Sequence, residues 1–148
     1  PKARGKKYRG EAKFPLILQN VHRYFAYLAV LFLFFLAYDA WIGFWFTEIP
    51  GDHHSPKHFG VGVGSIMLLG NVILLGTYTL SCHSIRHLVG GVIDRLSGHP
   101  VRKKMYDCVT CLNKRHMVYA WCSLFWVAFT DVYIRLCSMG VLTDYRIF

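Results

Sequence analysis

Three long apolar stretches leave a chain of this kind few ways to fold. From Phe14 to Phe46 the sequence is almost continuously apolar and aromatic, including the run from Leu28 to Leu36. That exceeds the roughly 20 residues a helix needs to cross the hydrocarbon core of a bilayer. A second stretch begins at Phe59 and runs through Leu80, and a third continues from Met117 past Trp121, Phe125, Trp126 and Phe129 to Met139. The expected fold is an all-α, integral membrane helical bundle with at least three transmembrane helices, over about 14–46, 59–87 and 105–139. A basic arm over residues 1–13 precedes the membrane-anchor domain, 14–148. A mean hydropathy of +0.32 in only 148 residues agrees, because a soluble domain of this size needs more polar surface.

The formal charge of +9 is clustered. Lys2, Arg4, Lys6, Lys7, Arg9 and Lys13 crowd the start; Arg86, Arg95, Arg102, Lys103, Lys104, Lys114 and Arg115 crowd the central loop. Clusters beside apolar spans follow the positive-inside rule and require no nucleic-acid partner. The N-terminus and central loop are therefore expected in the cytoplasm, and the loop with Glu48 and Asp52, like the C-terminus, outside. No signal peptide is expected, since no small-residue cleavage site follows the first apolar run. The chain begins at Pro1 rather than Met, so three spans is a minimum.

Within the spans, Tyr38, Trp41 and Trp45 read as an aromatic belt. Gly60 and Gly64, continued by Gly70 and Gly76, read as small positions that let helices approach in lipid, and Asn71 as an interhelical hydrogen-bond donor. Asp131 and Arg135, four apart, are expected to pair. His53, His54 and His58 lie between the first two spans with Pro50, Gly51 and Pro56 and read as a polar turn rather than a metal site. Cys122 and Cys137, inside the third span, read as small packing residues.

The chemistry is concentrated between Cys82 and His116. Five cysteines are an odd count, and those beside positive-inside charge face a reducing compartment, which favours metal ligation over disulfides. The pattern of a cysteine followed five positions later by Arg-His occurs twice, as Cys82…Arg86-His87 and Cys111…Arg115-His116. Two thiolates and two imidazoles are the ligand set of a Rieske-type [2Fe-2S] centre. In one arrangement Cys82 and Cys111 hold one iron while His87 and His116 hold the other. In a second, local pairs act: His83 with His87 at i, i+4, and Cys108 with Cys111 at i, i+3. The first explains the duplicated ending; the second explains the extra His83 and Cys108. Structural zinc competes, although the spacing matches no standard zinc finger or ribbon. So does a haem b held by two of His22, His83, His87 and His116, which leaves the cysteines without a role.

The segment from Ser81 to Gly91, joined to Cys108-Val109-Thr110-Cys111 and Asn113-Lys114-Arg115-His116 ahead of a Trp-rich span, resembles the membrane anchor of actinobacterial succinate dehydrogenases of the mycobacterial type. The resemblance covers most of the chain. It implies a bacterial plasma-membrane anchor that carries a membrane-embedded Rieske-type [2Fe-2S] cluster, a flavoprotein partner with FAD, an iron-sulfur partner and a quinone, menaquinone or ubiquinone, as acceptor. Anchors of that type have more than three spans, so this chain is expected to correspond to a C-terminal portion. His22, Arg23 and Tyr24, at the cytoplasmic start of the first span, are the candidates for hydrogen bonding to a quinone carbonyl. No nucleophile elbow, phosphate loop or metalloprotease motif is present, which argues against a hydrolase.

Overall fold

The computed structural model describes residues 13–15, 17–47, 55–91 and 98–148. In chain order the elements are α1 (Ile17–Ile42), β1 (Trp45–Thr47), β2 (Lys57–Phe59), α2 (Val63–Leu80), α3 (His83–Gly90), α4 (Pro100–Asn113) and α5 (His116–Ser138). Helices α1, α2 and α5 are long and apolar enough to cross a membrane. Their lengths, roughly 27–39 Å at about 1.5 Å per residue, bracket the hydrocarbon thickness. The mostly all-α membrane fold expected from the apolar runs is therefore present. A small antiparallel pairing of β1 with β2 is added to it, with Trp45 opposite Phe59 and Phe46 opposite His58. His53 and His54 lie outside the described residues, as does nearly all of the basic arm.

All three spanning helices are shorter than the sequence suggested, and two of the expected stretches are divided. The stretch 59–87 is divided at Ser81 and Cys82. Ser81 Oγ donates to the Tyr78 carbonyl at 2.7 Å, and Cys82 is extended (ψ 140°) as the residue before α3. A short side-chain bond of this type competes with the helical ladder. The freed Ser81 carbonyl accepts from Asn113 Nδ2 at 2.7 Å, a partner 32 positions away. The stretch 105–139 is likewise two helices. Pro100, whose missing N–H costs nothing in a first turn, starts α4, and a turn at Lys114 and Arg115 separates it from α5.

The chain forms two compact units. The first takes its described residues from Pro1–Leu31 and Tyr78–His116. Its core is Ala26, Cys82, Ile85 and Val109, with Val30 and Val89 packed against them. Here α3 and α4 are locked together through Tyr106. Arg86 lies 5.0 Å over the Tyr106 ring and its Nε donates to the hydroxyl at 3.1 Å. Gly90 admits that ring, since a Cβ there would come within 2.6 Å of it. Arg102 Nε adds a bond to the Val89 carbonyl.

The second unit comprises Phe32–Thr77 and Met117–Phe148. Its buried positions are largely small and polar (Ser65, Asn71, Ser123, Thr130), while Phe34, Trp121 and Phe125 are exposed. Lipid is as apolar as leucine, so such helices associate through close packing and hydrogen bonds instead of a greasy core. Gly70 carries that contact. A Cβ there would lie 2.6 Å from Trp126 Nε1, which donates to the Met67 carbonyl at 3.1 Å. Gly60 and Gly64 face the C-terminal tail rather than another helix. The tail caps α2: Asp144 Oδ1 accepts from Gly64 N and from the Tyr133 hydroxyl, each at 2.8 Å, and the Val63 N–H bonds Tyr145 O. Orphan donors of the first helical turn are satisfied in this way. Asp131 and Arg135 pair at 2.8 Å as expected, but both side chains are exposed, so they fix no packing within the chain. Asn71 is buried with its Oδ1 unpartnered, Cys122 is exposed and Cys137 half-buried.

Candidate functional site

Cys82, His83, His87, Cys108, Cys111 and His116 all fall in the first unit together with His22. The turn at Ser81-Cys82 and the turn before His116 bring sequence-distant side chains together. Cys82 is buried, with its Sγ 3.3 Å from His22 Nε2. His116 Nδ1 is 2.7 Å from Ser81 Oγ, and its ring stacks on Tyr78 with centroids 4.8 Å apart. His22, Cys82 and His116 line one cavity of about 190 Å³, completed by Phe25, Ala26 and Ala29 of α1 and Tyr78 and Thr79 of α2. Thr79 was not anticipated from the sequence. Its Oγ1 is buried without a hydrogen-bond partner. The only sequence signal was its place two residues ahead of Ser81-Cys82, among the hydroxyls of Thr77, Tyr78 and Ser81.

Of the residues expected to meet a quinone, His22 therefore borders a cavity. Arg23 is exposed and bonds Asn20 Oδ1 at 3.4 Å, and Tyr24 is exposed with its ring edge-on to Tyr27; neither lines the cavity.

The metal-ligand candidates separate into two groups. On α3, His83 and His87 project one turn apart with their Nε2 atoms 2.8 Å from each other. Cys108 and Cys111, three apart on α4, are exposed thiols on the helix that packs against α3. Cys82 and His116 are engaged instead with His22, Ser81 and Tyr78. Among the described residues no group of three or more His, Cys, Asp or Glu side chains is placed to hold one metal ion. A structural zinc ion, which takes four ligands, has no such group there. Each iron of a Rieske-type centre takes only two protein ligands, two nitrogens on one and two sulfurs on the other, so its fit is judged pair by pair. By donor chemistry the His83–His87 and Cys108–Cys111 pairs fit it.

Comparison with known proteins bears on the chain as a whole. A search of the curated proteins finds no match. Among solved structures, a chain of the Mycobacterium smegmatis Sdh1 complex in the apo form superposes with a TM-score of 0.77 at 49% sequence identity, covering 96% of this chain. The match takes in 50% of that chain, so the present sequence spans about half its length. The family model for actinobacterial succinate dehydrogenase subunit SdhC matches residues 2–140. With nearly the whole sequence inside that match, and three helices able to cross a bilayer, the chain belongs to the actinobacterial succinate dehydrogenase SdhC family.

Proposed function

We propose that this chain is part of the membrane anchor of a succinate:quinone oxidoreductase and conducts electrons to quinone in a bacterial plasma membrane. The observation that carries the reading is that one compact unit holds both donor pairs and an apolar-walled cavity bordered by two imidazoles. Succinate loses two electrons and two protons to become fumarate in a flavoprotein partner with FAD. An iron-sulfur partner relays the electrons, and a quinone gains two electrons and two protons to become a quinol. The basic residues Arg102, Lys103 and Lys104 orient the loop to the cytoplasm and favour docking of the soluble partner.

A Rieske-type [2Fe-2S] cluster, when bound, supplies one-electron transfer at a potential above that of an all-cysteine cluster. His83 and His87 would hold one iron and Cys108 and Cys111 the other. We favour this set over Cys82, His87, Cys111 and His116 because the 2.8 Å approach of the two α3 imidazoles already presents a chelating pair, whereas Cys82 and His116 border the cavity. His22 lies within reach of a quinone carbonyl there. The haem b alternative is less favoured: about 190 Å³ is below the roughly 300–1,000 Å³ of ordinary ligand pockets and suits a ring or fused pair of rings better than a porphyrin.

Low-temperature electron paramagnetic resonance of the reduced, purified complex tests the reading. A Rieske-like signal is expected in the wild type, lost in His83→Ala and retained in His116→Ala. The reverse pattern restores the alternative ligand set, and a wild type without the signal defeats the iron-sulfur assignment.

A further inference from the structure

We infer that Thr79 is the hydrogen-bond donor that grips a carbonyl of the quinone ring inside the cavity of the first unit. This inference rests on the quinone-reducing reading above and adds to it a residue and a position for the head group.

Helical threonines in this chain ordinarily bond their own backbone. Thr77 donates to Ile73 O at 2.7 Å, Thr110 to Tyr106 O at 2.7 Å and Thr130 to Trp126 O at 2.8 Å. Such back-bonding is the local default for a hydroxyl in a helix, above all where no water is at hand. Thr79 departs from it. The residue is 4% exposed, and its Oγ1 has no partner. An unpaired buried hydroxyl destabilises a fold, so its persistence beside a cavity points to a ligand that completes it.

The cavity selects the ligand class. Phe25, Ala26 and Ala29 are apolar walls, and Tyr78 contributes an aromatic ring stacked on His116. The two alanines leave the space that larger side chains would fill. A dry cavity of about 150 Å³ accommodates a benzene ring, so about 190 Å³ holds a substituted quinone ring but not its isoprenoid tail. A quinone ring offers flat apolar faces to these walls and a carbonyl acceptor to the hydroxyl. Thr79 transfers no electron; it fixes where the acceptor ring sits, and its bond strengthens as negative charge develops on that oxygen.

The test uses the purified succinate dehydrogenase complex with Thr79→Val, Thr79→Ser and Ala26→Phe. Reduction of a short-chain quinone is measured as KM and kcat and normalised to dye-linked succinate oxidation in the same preparation, with thermal stability recorded in parallel. Thr79→Val keeps the shape and removes the donor. It is expected to raise the quinone KM roughly 2- to 13-fold, the range of one net hydrogen bond, without lowering the melting temperature. Thr79→Ser is expected to restore KM, and Ala26→Phe to abolish quinone reduction by filling the site. If Thr79→Val leaves KM unchanged while Ala26→Phe abolishes reduction without lowering the melting temperature, the quinone occupies the cavity but Thr79 is not its donor, and the inference falls while the proposed function stands. A lower melting temperature with unchanged KM assigns Thr79 a structural role and likewise overturns it. If neither substitution alters quinone kinetics, the ring binds elsewhere. A wild-type complex that oxidises succinate with dye but reduces no quinone defeats the proposed function itself.

Discussion

Replacing Gly70 by alanine is the sharpest test of how the second unit is held together. The new Cβ would lie 2.6 Å from Trp126 Nε1 and 2.7 Å from both Cε2 and Cζ2. Carbon atoms in contact prefer about 3.5–4.0 Å, so the indole must retreat by roughly 1 Å. It is not free to do so, because its Nε1–H bonds the Met67 carbonyl at 3.1 Å, and a retreat of that size breaks the bond. Overpacking of this kind costs about 1–3 kcal/mol and the lost hydrogen bond about 0.5–1.5 kcal/mol. Alanine's better helix propensity returns about 0.8–1 kcal/mol. The net expectation is a loss of about 0.5–3.7 kcal/mol, read from unfolding of the purified protein in mixed micelles followed by circular dichroism. Trp126→Leu should suffer much less from the added methyl, so a double-mutant cycle should return a coupling of about 1 kcal/mol or more. A Gly70→Ala variant as stable as the wild type, or a coupling below about 0.5 kcal/mol, would refute the argument that this glycine exists to admit the indole.

Other contacts give smaller, separable effects. Asp144→Ala removes the acceptor for Gly64 N and Tyr133 and should cost about 1–2 kcal/mol, as loss of a helix cap does; Tyr133→Phe, tested beside it by the same titration, should cost less, because the cap on α2 survives. Tyr106→Phe keeps the ring against Gly90 and under Arg86 but loses the 3.1 Å bond, so about 0.5–1.5 kcal/mol is expected, whereas Gly90→Ala, which drives a Cβ into that ring, should be worse; protease susceptibility of the α3–α4 region ranks the two. Because the Asp131–Arg135 pair is exposed, Asp131→Ala should change unfolding in detergent by less than about 1 kcal/mol; a larger loss would show that the pair is buried in the assembled protein.

Much of this protein was legible in its sequence. Length and polarity of the apolar runs sufficed for three spanning helices, since the bilayer sets one thickness and a helix one rise per residue. Helical spacing sufficed for two local contacts, His83 with His87 and Asp131 with Arg135, because residues four apart share a face whatever surrounds them. Other features needed the third dimension. The break at Ser81 depends on Asn113, 32 positions away, to satisfy a carbonyl that the helix gives up. Gly60 and Gly64 looked like a helix-packing motif, yet they receive the C-terminal tail, while Gly70 admits Trp126; a small residue announces close approach but not what approaches. Cys82 and His116 belong to the duplicated pattern, and folding sets them with His22 and Thr79 around one cavity, which no spacing along the chain could disclose. Sequence by itself determined the helices and the contacts within a turn, because these follow from local geometry and the solvent. Only the tertiary structure decided which side chains meet across helices, because that depends on where each helix ends and which neighbour satisfies its last polar groups.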